Sequence, residues 1–244
     1  MSIREAFASA GSLWEQQPGL LRTIVCADEQ PAVLRVDGVI RLDHEHNEVR
    51  LVADYDVSAT ISEGFPTDVP QLIVRNPDPS GFYPHAYEDG RLCLGVDGEM
   101  SLILARADNP LEAFFEEIVM PNLYAVEFFR RYRTMPFDDR SHGEVGVLEF
   151  YREFFNMDRD RAVLELLRIA AGKEGFRRRN RCPCGSGRQL GSCHAGAVEA
   201  LRYNVGKNVL LSDCGIATSA LGLTKALGAK DATRARLKEH RTHP

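Results

Sequence analysis

The chain has 244 residues, 44% of them hydrophobic and 27% charged, with a formal net charge of −5. That composition is globular rather than disordered, with room for one domain of ordinary size plus a smaller one. The acidic balance argues against nucleic acid as the main partner, and no apolar run approaches the ~18 residues needed to cross a bilayer.

Residues 2–17 read as a helix that stops before Pro18. Its charged first turns leave no apolar signal core, so a cytoplasmic location is expected. In "AVLRVDGVIRL", Leu34, Val36, Ile40 and Leu42 alternate with Arg35, Asp37 and Arg41, the period of a half-buried strand. After a polar turn, "DHEHNE", the alternation resumes at Val49, Leu51, Ala53, Tyr55 and Val57, which predicts an antiparallel hairpin with His44 and His46 solvated in its turn. A short strand, "QLIVR", follows Pro70, and then a long loop rich in Pro, Gly and Asp. From Asn109-Pro110 the period becomes helical, with Leu111, Phe114, Phe115, Ile118 and Val119 on one face. Pro121 is expected to interrupt this run and open a second helix through Phe128 and Phe129. "VLEFYREFF" and "DRDRAVLELLRIAAG" predict two more helices, the latter from an Asp158 cap to Gly172. The phenylalanine pairs at 114/115, 128/129 and 154/155 read as helix-packing residues.

Disulfides are uncommon in the cytoplasm, which leaves the six cysteines for metal binding, catalysis or packing. Cys26 and Cys214 have no patterned partner and read as packing residues. The segment "CPCGSGRQLGSCH" is different. Three sulfurs and one imidazole, from Cys182, Cys184, Cys193 and His194, suit a closed tetrahedral Zn2+ site of structural type, and the interleaved glycines let so short a chain double back. The segment resembles the SEC-C motif, a zinc knuckle, and the resemblance implies docking to a protein partner. The preceding arginines, Arg177, Arg178, Arg179 and Arg181, suit phosphates or, more simply, a solvated linker that complements an acidic partner.

The remaining cysteine follows a polar loop, "GFYPHAYEDGRLCLGVDG". Tyr83-Pro84-His85, Tyr87, the Asp89-Gly90 turn and Cys93-Leu94 resemble the active-site segment of ubiquitin-conjugating enzymes, which runs His-Pro-Asn, an aliphatic residue, Tyr, any residue, Asp/Asn-Gly, two residues, Cys-Leu. The resemblance extends at pattern level over residues 1–130. It implies an α+β fold of that family: an N-terminal helix, an antiparallel sheet and C-terminal helices, here followed by the knuckle. The implied domains are a catalytic domain over 1–133, a helical extension over 134–175, the knuckle over 176–197 and a partly helical tail over 198–244.

Three departures stand out: Tyr83 replaces the histidine, His85 replaces the asparagine, and the tryptophan usual after the cysteine is absent. The acidic residue that helps the acceptor amine has no evident match. These features resemble divergent bacterial members found in antiphage operons. The implied partners are an adenylating activating enzyme and a ubiquitin-like modifier or cGAS-like nucleotidyltransferase. By the same resemblance Cys93 would carry an acyl group as a thioester, with His85, Tyr83 and Asp89 as further catalytic residues: His85, standing where the family has its asparagine, would donate a hydrogen bond toward the oxyanion of transfer or, in the competing reading, only brace the loop. Two other readings are open: an inactive binding module of the same fold, and a cysteine hydrolase using Cys93 with His85, for which no third orienting group is visible.

Overall fold

The computed structural model describes residues 5, 8, 10–27, 30–137, 141 and 143–222, with backbone only at 22, 24–27 and 30–32. It is an α+β protein whose only sheet among these residues has four antiparallel strands in the order β1-β2-β3-β4. The chain divides into two units, residues 1–139 with 204–206, and residues 140–203 with 207–244.

In the first unit, helix α1 (Gly11–Gln16) ends ahead of Pro18, and Trp14 packs against the core. Strand β1 (Leu20–Ala27) was not anticipated: it pairs with β2 (Gln30–His46), which pairs with β3 (Val49–Ile61), and β4 (Gln71–Asn76) closes the far side. The expected alternation holds. Leu34, Val36, Ile40 and Leu42 face a buried core with Leu51, Tyr55, Val57 and Ile61, and the arginines and aspartates between them face water. The β2–β3 turn is tighter than expected. The ladder runs to His46↔Val49, and only Asn47 and Glu48, both at positive φ, form the loop. His44 and His46 therefore lie on β2 rather than in a solvated turn, and both rings pack edge-on against Tyr124.

Helix α2 (Asp97–Arg106) follows the long loop and was also not anticipated. Next, α3 (Pro110–Ala113), capped by the Asn109 side chain, runs without a break into a π-helical segment, Phe114–Val119, and then into α4 (Met120–Tyr132). Pro121 does not interrupt the run. It lies in the first turn of α4, where the wider π turn precedes it. Leu111, Phe114, Phe115, Ile118, Val119 and Leu123 cover the inner face of the sheet. Beneath them Glu127, completely buried, accepts hydrogen bonds from the Tyr55 hydroxyl and from Arg130 and Arg131.

The second unit holds α5 (Glu144–Phe155), α6 (Asp160–Ala170), α7 (Ala195–Asn204) and a further helical run over 207–222. Helix α6 starts one residue later than expected, with Arg159 rather than Asp158 at the cap and no side-chain cap bond. Cys214 is buried on the last run, and burial raises its thiol pKa. The side chain of Cys26 and the tail beyond 222 lie outside the described residues. Among the described residues, no helix is long and apolar enough to cross a membrane.

Candidate functional site: a tethered cysteine and a four-donor cluster

After Pro77 the chain folds onto itself through short-range hydrogen bonds. The Pro79 carbonyl accepts from the N–H of Tyr83, and the Tyr83 carbonyl accepts from Ala86. Residues 85–87 then pair with 91–93 as a miniature hairpin: Tyr87 N–H donates to the Arg91 carbonyl at 2.8 Å, and Cys93 N–H to the His85 carbonyl at 2.8 Å. Asp89-Gly90 makes its turn. Gly90 sits at φ +79°, and a Cβ there would meet the Val74 carbonyl oxygen at 2.9 Å, so the position favours glycine on both counts. The returning arm docks on β4, with Val74 N–H donating to Gly90 and Leu92 N–H to Leu72. Leu92 points into the core, and the alternation leaves its neighbour Cys93 only half-buried.

Beside Cys93 opens a cleft of ≈ 240 Å³, lined by Val69, Gln71, Tyr87, Arg91, Asp97 and Met100 among others. The Tyr87 hydroxyl pairs with the cysteine. The Cys93 charge is the main influence raising the Tyr87 pKa, with burial and a hydrogen bond to Cys93 adding to it. A short relay holds this ring in place: the Asp89 carboxylate binds Arg91 Nε at 2.7 Å, and the Arg91 guanidinium lies 5.1 Å from the Tyr87 ring centroid. The same contact with Arg91 keeps the Asp89 pKa low. Asp97, four residues beyond the cysteine, also faces the cleft. The residue is exposed overall, but desolvation raises the pKa of its carboxyl.

The four residues expected at this site take different places. Cys93 is at the cleft, and Asp89 reaches it through Arg91. Tyr83 is buried, its ring 5.8 Å from that of Phe129, and the His85 ring lies against Tyr83 at 5.6 Å. Both rings pack to shape the loop. Two residues were missed as functional candidates. Tyr87 was noted only as part of the loop pattern, and Asp97 lies on a helix that was not anticipated. A third, Asn122, was invisible in the pattern: its amide donates to the carbonyls of Ile118 (2.9 Å) and Leu94 (3.2 Å), tying the π segment to the residue after Cys93.

In the second unit the four expected ligands do converge. One donor atom from each of Cys182, Cys184, Cys193 and His194 lies within 4.8 Å of all the others. The Arg181–Gln189 bridge closes a small loop around Gly185 and Gly187, both at positive φ, and a 3-10 turn, Leu190–Ser192, brings Cys193 and His194 back. His194 Nδ1 stands 3.2 Å from the sulfurs of both Cys182 and Cys193, and the sulfurs of Cys184 and Cys193 are 3.5 Å apart. Tetrahedral zinc with Zn–S bonds of about 2.3 Å spaces its sulfurs about 3.8 Å apart, close to what is seen.

The histidine is also oriented for ligation. Its Nε2 lies 3.1 Å from the Phe155 carbonyl, a contact that places the proton on Nε2 and turns the Nδ1 lone pair toward the sulfurs. Without a metal the thiols differ sharply. Burial pushes Cys182 up to about 12; at Cys184 burial opposes, but hydrogen bonds from Ser186 and the neighbouring cysteines bring the thiol down to about 6. The donor set thus fits a divalent metal with sulfur affinity. Of the arginines before it, Arg178 is held by Glu199 at 2.6 Å, and Arg177, Arg179 and Arg181 are exposed.

No family model, curated protein or solved structure matches the chain.

Proposed function

We propose that the first unit is an acyl carrier and transferase of the ubiquitin-conjugating kind, and that the second carries a structural zinc knuckle. The observation that carries this reading is the placement of Cys93. It is pinned by its own backbone at the end of a docked hairpin, half-exposed, with Tyr87 beside it on the lining of an open cleft. Such a thiol suits covalent exchange. The Cys93 thiolate attacks an activated acyl group, the C–S bond of the donor breaks as that of Cys93 forms, and an acceptor amine later takes the acyl group and releases the thiolate.

Within this reading, the Tyr87 hydroxyl donates to the thiolate before attack and to the departing sulfur at transfer. Asp97 faces the cleft, and desolvation raises its pKa, which makes its carboxylate a stronger base that accepts a proton or a hydrogen bond from an incoming amine. Zn2+ bound by Cys182, Cys184, Cys193 and His194 would fill the coordination shell and stabilise the knuckle without touching substrate. The partners are an adenylating activating enzyme and a ubiquitin-like modifier or cGAS-like nucleotidyltransferase of a bacterial antiphage system, with the knuckle docking a further protein.

The test is reconstitution with candidate activating enzymes and modifiers. The expected result is an ATP-dependent, thiol-sensitive adduct on the wild type, a longer-lived oxyester on Cys93→Ser and nothing on Cys93→Ala. An adduct that persists in Cys93→Ala assigns the chemistry to another residue. The second reading, an inactive binding module, draws on the His85 ring, which packs on Tyr83 where the resembling enzymes keep an asparagine amide. It predicts tight modifier binding with no covalent product in the same experiment.

A further inference from the structure

The distribution of basic residues is uneven in one respect. Residues 1–172 contain no lysine, and all five lysines (Lys173, Lys207, Lys225, Lys230, Lys238) fall at or after position 173. Scattered at random along the chain, five lysines would all land in that last stretch roughly two times in a thousand, so chance is a poor account. Nor does the gene avoid the residue, since the same chain uses it freely further on.

Positive charge in the first unit comes from arginine alone, including at sites where lysine would serve as well. Arg41–Asp54 and Arg106–Glu117 are solvent-exposed ion pairs. Exposed pairs of this kind contribute little to stability with either cation. The two cations do differ in reactivity. A guanidinium stays protonated and is not an acyl acceptor, whereas a lysine ε-amine releases its proton readily and attacks acyl carbons, the more so when desolvated.

We infer that the first unit is cleared of ε-amines so that an acyl group carried on Cys93 is not lost to the chain itself, and that the acceptor amine is supplied by another molecule. This rests on the reading of Cys93 as an acyl carrier. The step that is prevented is specific: a lysine Nζ lone pair attacks the thioester carbonyl, the N–C bond forms, and the C–S bond breaks. Cys93 then leaves as a thiolate and takes up the proton lost by the ammonium. The product is a permanently modified and discharged chain.

The probe is a short peptide ending in a glycine thioester of mercaptoethanesulfonate, which loads Cys93 by thioester exchange without an activating enzyme. After the excess is removed, intact mass with and without hydroxylamine distinguishes thioester from amide. Wild type is compared with Gln71→Lys and Arg91→Lys, which put an ε-amine on the lining of the cleft beside Cys93, after thermal melts confirm that both are folded. The wild type should hold its thioester until free lysine is added. At least one variant should lose it at least about tenfold faster, with a hydroxylamine-resistant peptide mapped to the new lysine, because a tethered amine has a high effective concentration. Two outcomes overturn the inference alone: both variants keep the thioester as long as the wild type, or the loaded wild type acylates Lys173 or Lys207 as fast as the variants acylate themselves. If the wild type does not load at Cys93, the carrier reading fails and takes the inference with it.

Discussion

The main-chain N–H of Cys93 donates to the main-chain carbonyl of His85 at 2.8 Å. This single bond joins two positions eight apart in sequence and fixes the place of the sulfur. The intervening turn returns the chain to its starting point, and the sulfur's position is set by backbone rather than by side-chain packing. It also makes the His85 side chain available for another task, which is to pack on Tyr83.

His85→Ala is accordingly expected to loosen the loop. Loading of Cys93 and discharge from it should slow together, and the melting temperature should fall, with a loss on the order of 1 kcal/mol typical of a surface-loop contact. Single-turnover discharge from pre-loaded protein checks this. A discharge rate that falls alone, with loading and stability intact, would show the imidazole acting at the transition state instead.

Tyr87→Phe tests the phenol. Removing its hydrogen bond to the Cys93 sulfur should slow alkylation of Cys93 by iodoacetamide, by about tenfold for a loss of about 1.5 kcal/mol. The ring itself is kept, so the stability of the unit should be unchanged. An unaltered alkylation rate removes Tyr87 from the site.

The buried carboxylate of Glu127 offers a stability prediction. Burial raises its pKa, but hydrogen bonds from Arg130, Arg131 and Tyr55 outweigh this, and the net shift is downward from 4.5. A lowered folded-state pKa gives stability that is present above the unfolded value and is lost as pH falls through the folded one. Acid should therefore weaken the first unit below about pH 4.5, the ordinary value for glutamate. Glu127→Ala should cost about 3 kcal/mol at neutral pH, because it strips a buried partner from three donors. Its melting curve should also lose that part of the acid dependence.

Much of this was legible in the sequence and some was not. Period-two alternation located β2 and β3 because one face is buried along their whole length, as at Leu34, Val36, Ile40 and Leu42. Strand β1 escaped because its stretch, "LLRTIVCA", puts apolar residues on both faces, with Arg22 and Thr23 among them, and so carries no alternation; Leu21 points to water all the same. Pro121 misled for a physical reason. Proline breaks a regular helix by withholding an N–H, and here Pro121 lies in a continuous helical run directly after a π segment that propensity does not reveal. The four metal-site residues were readable because ligand spacing in so short a loop nearly dictates convergence. The Tyr87–Cys93 pair was not, since it depends on the register of a hairpin whose turn and return arm are fixed by docking on β4.

The knuckle should hold about one zinc per chain. Replacing Cys182 and Cys184 together by serine should release the metal and unfold residues 180–196, since so small a loop has little core of its own. The first unit should melt unchanged, because its core lies in strands and helices upstream of Asp139. Elemental analysis of protein purified without chelator checks the first point, and the absence of any bound metal would remove the site.

The most direct test of the central claim is the intact mass of the chain after brief exposure to the glycine-thioester peptide, with Cys93→Ala alongside. The wild type should gain one acyl group, a reducing thiol should remove it, and Cys93→Ala should gain none under the same conditions. A wild type that remains unmodified, or a Cys93→Ala variant that gains the same thiol-labile mass, would contradict it.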